Sequence, residues 1–284
     1  MNSSTKLILQ GPGADSDTVK RIAAIVNAKK ITPIAPQAFR CDEVDSSNAL
    51  RSEVAAACHP ARMDGTFMDV SRQLSDFRVL VMDMDSTLIT IECIDEIADM
   101  QGLKAEVAAI TEAAMRGELD FRESLMRRVA LLKGLDASAL HQVFEERLRL
   151  SPGADSLLQG VKAAGLRSVL VSGGFTYFTD RLKAMLALDA TRANLLEVVE
   201  GKLTGQVIGR IIDADAKRQT VMDECEALGA STAAAIVIGD GANDLAMMSI
   251  AGLSVAFRAK PVVQAKANVT LNYAGLDGVL NLFR

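Results

Sequence analysis

At 284 residues, with 49% hydrophobic and 24% charged side chains, the chain can build one large or two modest globular domains and is neither fibrous nor low-complexity. A net charge of −5 argues against a nucleic-acid backbone or an anionic membrane as partner. No apolar run is long enough to span a bilayer or to serve as a secretory signal, so the expected location is cytoplasmic.

Residues 1–75 read as a small α/β module. Residues 6–9 read as a strand and 17–29 as a helix, with apolar spacing through Val19, Ile22, Ala23, Ile25 and Val26. Residues 31–34 read as a second strand, confined to a sheet edge by Pro33 and Pro36. Residues 46–58 read as a helix capped by Ser46 or Ser47, and residues 68–77 as a connector. No candidate chemistry falls here. The role is open between packing, homodimer formation and the holding of a small regulatory ligand.

Residues 76–284 read as the main domain. Val79 to Met82 is an unbroken apolar run, the pattern of a parallel strand buried on both faces. Four helical stretches follow within residues 90–150, broken by Gly102, Gly117 and Gly134. A crossover between parallel strands needs only about a dozen residues, so this longer insertion reads as a helical cap over the strand ends. Downstream, strands at 169–172, 235–239, 253–256 and 269–271 alternate with helices at 154–164, 175–188, 216–228 and 244–251, and 195–207 reads as a hairpin. The fold class is therefore α/β, a doubly wound parallel sheet carrying a helical cap and the small N-terminal module.

The chemistry concentrates where apolar runs stop. Asp83 and Asp85 follow the first, and two acids at a buried strand end are costly unless a cation or a transferable proton uses them. The plain alternative is a strand-to-helix loop with Asp as helix cap. Ser172 and Gly173 end the second run, and Gly239-Asp240-Gly241-Ala242-Asn243-Asp244 ends the last, with Lys217 between them. The four cysteines form no C-x-x-C pair, which gives no zinc or dithiol motif. With only two histidines, His59 and His141, proton transfer falls to carboxylates.

In this order, a D-x-D strand end, a serine strand end, a lysine and a G-D-x-x-x-D strand end, the chain resembles the haloacid dehalogenase-like phosphatases over roughly residues 75–284. Within them it is most similar to the phosphoserine phosphatases. The resemblance implies a haloacid dehalogenase-like core and a Mg²⁺-dependent phosphomonoester hydrolase that releases serine from O-phosphoserine in serine biosynthesis. Asp83 would be the nucleophile, forming an aspartyl-phosphate, and Asp85 the acid and then the base. Mg²⁺ would be held by Asp83, Asp240 and the backbone carbonyl of Asp85, with Asp244 behind them or paired with Lys217. Ser172, Gly173 and Lys217 would bind phosphate, with Asn243 supporting it or the metal loop. The stretches around Glu92 and 119–129 are similar to the substrate-binding segments of those enzymes. Glu92 would meet the substrate ammonium and Arg128 its carboxylate, while Phe121 and Met115 shield the pocket. Arg127 and Arg218 are rivals of Arg128 and Lys217 by one position. A related phosphatase or phosphotransferase with another small phosphomonoester is the alternative. A phosphorylated signalling receiver is disfavoured by the cap and by Asp85, and an ion-pump domain by the lack of membrane spans.

Overall fold

Strand and helix periodicities resolve into two sheets in the computed structural model, which describes residues 5–284 and, of Met115, only the backbone. The first sheet is built by β1 (Thr5–Gln10), α1 (Ser16–Ile25), β2 (Lys30–Ala35), β3 (Ala38–Asp42), α2 (Asn48–Cys58) and β4 (Asp64–Asp69). Its four strands run antiparallel in the order β2-β3-β1-β4, the ferredoxin-like arrangement. β2 lies at the edge, as its proline requires. Ser47 caps α2, accepting from Leu50 N–H at 3.4 Å. Three local expectations change. α1 stops at Ile25 because Asn27 turns left-handed at φ 52°. β3 was not legible, and the expected connector begins inside β4. Both strands are short and interrupt their apolar residues with Arg40, Asp64 and Gly65.

The second sheet starts with β5 (Val79–Met82). The cap follows as α3 (Cys93–Met100), α4 (Lys104–Met115), α5 (Phe121–Leu131) and α6 (Ser138–Gln142), which runs on into a wider helical turn over Val143–Arg147. Then come α7 (Ala154–Ala163), β6 (Arg167–Phe175), α8 (Thr176–Leu186), β7 (Ala190–Val199), β8 (Lys202–Ile208) and α9 (Ala214–Ala227). The chain closes with β9 (Ala235–Gly239), α10 (Leu245–Met248), β10 (Leu253–Phe257), α11 (Pro261–Gln264), β11 (Val269–Leu271) and α12 (Gly278–Asn281). The seven strands lie in the order β11-β10-β9-β5-β6-β7-β8, all parallel except β8. Among the described residues no helix is long and apolar enough to cross a membrane.

The central strands are apolar on both faces because both are covered. Val79, Val81, Val169, Val171 and Val237 pack with Val221 and Cys225 of α9 and with Met247 and Val263. Their alternates, Leu80, Met82, Leu170, Ile236 and Ile238, pack with Leu157 and Val161 of α7, Phe178 and Leu182 of α8, and Leu276 and Val279. β7 begins earlier than the expected hairpin because its first residues pair in parallel with β6 before it turns into β8. The cap is tied to that hairpin by backbone bonds: Gly134 N–H donates to Leu203 O, Leu203 N–H to Leu135 O and Ala137 N–H to Gly201 O, each at 2.8 Å.

The small sheet also has two covered faces. Leu7 and Leu9 pack against α1 and α2, while Ile8 and Met68 point the other way and join the core of the larger sheet. Asp64 fastens this face. Its buried carboxylate accepts from the backbone amides of Asn272 (2.8 Å), Tyr273 (3.0 Å) and Ala274 (2.8 Å). Gln10 adds bonds to Gly278 O and Asn281. Asp64→Ala would leave three amides without their acceptor. It should cost on the order of 3 kcal/mol of stability, read as an earlier urea midpoint. An unchanged midpoint would show that the two sheets do not depend on this contact.

Candidate active site

β9, β5 and β6 are neighbours in the sheet, and each delivers a polar residue where its apolar run stops: Asp240, Asp83 and Ser172. Parallel strands put their carboxyl ends on one edge, so residues distant in sequence converge there. Lys217 arrives from the first turn of α9, whose start is fixed by Asp213 accepting from Ala216 N–H at 2.9 Å. The Lys217 ammonium, 0% exposed, donates to Asp83 Oδ1 and Asp244 Oδ1, both at 2.7 Å. The other Asp244 oxygen accepts from the amides of Asp240 (3.1 Å) and Gly241 (3.0 Å), which curls the loop after β9 around it. Thr87 Oγ1 donates to Asp240 Oδ1 at 3.1 Å.

Asp85 meets a different environment from Asp83. The loop after β5 turns sharply, with Ser86 left-handed at φ 55°. This swings the Asp85 carboxylate to the Cys93 amide (2.9 Å) and the Ser172 hydroxyl (3.2 Å), both neutral donors. A Cβ on Gly174 would come within 2.7 Å of Asp85 Oδ2, so glycine is what lets β6 pass this close. Ser86 Oγ donates to Glu92 Oε1 at 2.7 Å, bringing the start of the cap to the same loop.

The cap lies directly on the strand ends. Asp120 caps α5 by accepting from Glu123 N–H at 2.7 Å, and the Phe121 ring then rests on Gly173, where a Cβ would meet it at 2.9 Å. Arg128 lies two turns further along the same face and is half-buried. Arg127 is exposed and spent on Glu123 at 2.7 Å. Arg218 is likewise exposed where Lys217 is buried. Asn243 sits half-buried on the Asp240 loop and makes no side-chain hydrogen bond among the described residues. The Met115 side chain lies outside the described residues.

The electrostatics are unbalanced. Burial raises Asp83 well above the usual carboxylate range, Asp244 adds to this, and Lys217 opposes it only in part. Burial also raises Asp85. Burial and then Asp244 push Asp240 up to about 6. Glu92 keeps part of its surface in solvent, yet desolvation of its carboxylate and then the nearby Asp85 raise it to about 7. Burial pulls Lys217 down, but Asp244 and Asp83 together outweigh it and keep the ammonium charged. One ammonium therefore faces more carboxylates than it can neutralise. Oxygens of Asp83, Asp240 and Asp244 lie within 4.8 Å of one another. An oxygen-only set with surplus negative charge fits a hard divalent cation. Asp244 is already committed to Lys217 and two amides, so Asp83 and Asp240 are the side chains with an oxygen to give.

Residues 80–249 match the family model of the haloacid dehalogenase-like hydrolases. The chain belongs to this family. A phosphoserine phosphatase of Polaromonas sp. is 55% identical over 217 residues, 75% of this chain and 92% of that protein. A solved probable phosphoserine phosphatase from Vibrio cholerae, 36% identical, aligns over 99% of this chain and 86% of its own with a TM-score of 0.83. A structure of a phospho-aspartyl intermediate analogue of phosphoserine phosphatase, also 36% identical, aligns over 73% of this chain and 99% of its own with a TM-score of 0.69.

In this hydrolase site, sequence reasoning gave no part to the Ser86 hydroxyl on Glu92, the Thr87 hydroxyl on Asp240 or the Cys93 amide on Asp85. The hydroxyls were visible beside the acids. Their partners follow only from the left-handed turn at Ser86. The charge imbalance generates a measurable expectation. A divalent cation added to chelator-treated protein should raise the melting temperature with the logarithm of its concentration, the added stability reaching about 2.7 kcal/mol at roughly 100 times Kd. Asp240→Asn should remove the effect. Identical melting curves with and without cation in the wild type would exclude the acidic cluster as a metal site.

Proposed function

We propose that the chain is a Mg²⁺-dependent phosphatase that hydrolyses O-phosphoserine to serine and phosphate through an aspartyl-phosphate at Asp83. The observation that carries this reading is the pairing of two unlike aspartates under one cap: Asp83 beside the Lys217 ammonium, and Asp85 among neutral donors. Two carboxyl groups in different surroundings suit different roles. The names of the relatives described above support the substrate.

The steps follow from the residues. Substrate phosphate sits between Asp83 and the donors Ser172, the Gly173 amide and Lys217, with Asn243 at its side. An Asp83 oxygen attacks phosphorus, and the bond from phosphorus to the serine oxygen breaks. Asp85, raised by burial, gives its proton to that oxygen. Serine leaves, and Asp85 takes a proton from a water that attacks the acyl phosphate. The bond from phosphorus to Asp83 then breaks, and phosphate is released. Asp83, Asp240 and the Asp85 carbonyl would hold Mg²⁺, which would supply positive charge to the phosphoryl oxygens. Lys217 keeps Asp83 oriented and Asp244 keeps Lys217 charged. Glu92 receives the substrate ammonium, and Arg128 receives its carboxylate through two parallel N–H donors. Phe121 excludes water from the Gly173 side.

Phosphate release from phosphoserine and from a small aryl phosphate tests the substrate. Arg128→Ala should lose one to three orders of magnitude in kcat/KM on phosphoserine, about 1.4–4 kcal/mol, and little on the aryl ester. Equal losses on both would remove Arg128 from carboxylate recognition. The two aspartates separate by rapid quench and intact-protein mass spectrometry. Asp83→Asn should form no phosphoenzyme. Asp85→Asn should slow turnover by about 10²–10⁴-fold. On an aryl ester, whose leaving group needs little protonation, it should accumulate an alkali-labile phosphate on Asp83. A label on Ser86, Thr87 or Ser172 would overturn Asp83 as nucleophile.

A further inference from the structure

Asn194 lies on β7, outside every motif described so far, and is 1% exposed. Its surroundings are set by an irregularity in the neighbouring strand. Val171 of β6 pairs with Arg192 of β7, but the next pair is Phe175 with Asn194. Four steps along β6 match two along β7, so Ser172, Gly173 and Gly174 bulge out of the ladder toward Asp85. Backbone groups in such a bulge lose their strand partners and need others.

Asn194 supplies one. Its Nδ2 donates to Gly173 O at 2.7 Å. The same peptide unit is held at its other end, where Gly174 N–H donates to Ser172 Oγ at 2.7 Å. Ser172 Oγ in turn donates to Asp85 Oδ2 at 3.2 Å. The second half of the Asn194 amide faces away from the bulge. Its Oδ1 accepts from Ile212 N–H at 2.8 Å, one residue before Asp213, the cap of the helix that carries Lys217. One buried amide therefore ties the serine strand end to the start of the lysine helix. A carbonyl needs a donor and an N–H needs an acceptor, and the side-chain amide in this orientation satisfies both sides.

We propose that Asn194 is a positioning residue that fixes the Ser172–Gly173 phosphate cradle relative to Lys217. The proposal rests on the reading of Ser172, Gly173 and Lys217 as the phosphate-binding donors. It predicts a loss aimed at the phosphoryl group, shared by every phosphomonoester whatever its leaving group. Asn194→Asp keeps the shape but sets a carboxylate oxygen against Gly173 O. Asn194→Ala removes both bonds.

The test compares both variants with wild type and Ser172→Ala, each held below its own unfolding midpoint, by titration calorimetry with inorganic phosphate and by kinetics on phosphoserine and an aryl phosphate. The expected result is phosphate affinity weakened about tenfold or more and kcat/KM reduced by similar factors on both substrates, in folded protein. Wild-type phosphate affinity in either folded Asn194 variant would overturn the proposal. So would a loss confined to phosphoserine, which would place the effect in the cap. Should Asn194→Ala not fold, Asn194→Asp decides by the same readings. Should neither fold, Asn194 is a fold residue and the proposal falls. Unchanged phosphate affinity in Ser172→Ala would instead fail the site reading beneath it.

Discussion

The buried ammonium of Lys217 is the contact on which the site depends. It bonds equally to Asp83 at the end of β5 and to Asp244 beyond the end of β9, and it comes from a helix that packs on the same sheet. No one of these charges would be tolerable alone in this position. Removing an ion from water costs several kcal/mol even after relaxation. Held together they fix the spacing of two strand ends and one helix, and the uncompensated remainder makes the site receptive to a cation.

This division of labour explains what was legible in the sequence. The strand ends were, because a buried parallel strand shows as an unbroken apolar run and the first polar residue after it must lie on the sheet edge. Asp83, Ser172 and Asp240 follow that rule. Lys217 does not. It sits on a polar helix beside Arg218, and only the resemblance separated the two. Its burial is a product of how α9 docks, which no local pattern encodes. β3 and β4 were obscured by their polar interruptions. Asn194 had one signal, an amide within a β-prone run where asparagine is disfavoured. Such local misfits cluster where a protein needs something other than stability.

The cap shows the limit in another form. Its helices were readable from their spacing and glycine breaks, and the expected insertion between β5 and β6 is present. Its attachment was not readable. A single antiparallel bridge sets Asp136 against Lys202 of β8, flanked by the backbone bonds of Gly134, Leu135 and Ala137, and Gly205 comes close to Ala130 and Lys133. That edge would otherwise present open backbone groups to solvent. The hairpin thus anchors α5, which carries Phe121 and Arg128, to the sheet that carries Asp83. α5 and the end of β5 share one rigid frame on this side.

The fastening of the N-terminal sheet has a consequence for how the chain is made. Gln10 bonds to residues 268 and 271 positions further on, and Asp64 to amides 208–210 positions further on. These bonds therefore cannot form until residues 272–281 have left the ribosome. At about 5–20 residues per second, the partners of Asp64 emerge on the order of 10–40 s after it does. Ribosome-bound chains of stepped length would register that interval. Throughout it the buried carboxylate of Asp64 lacks the three amides that satisfy it, so residues 272–274 are the ones that complete this face of the small sheet.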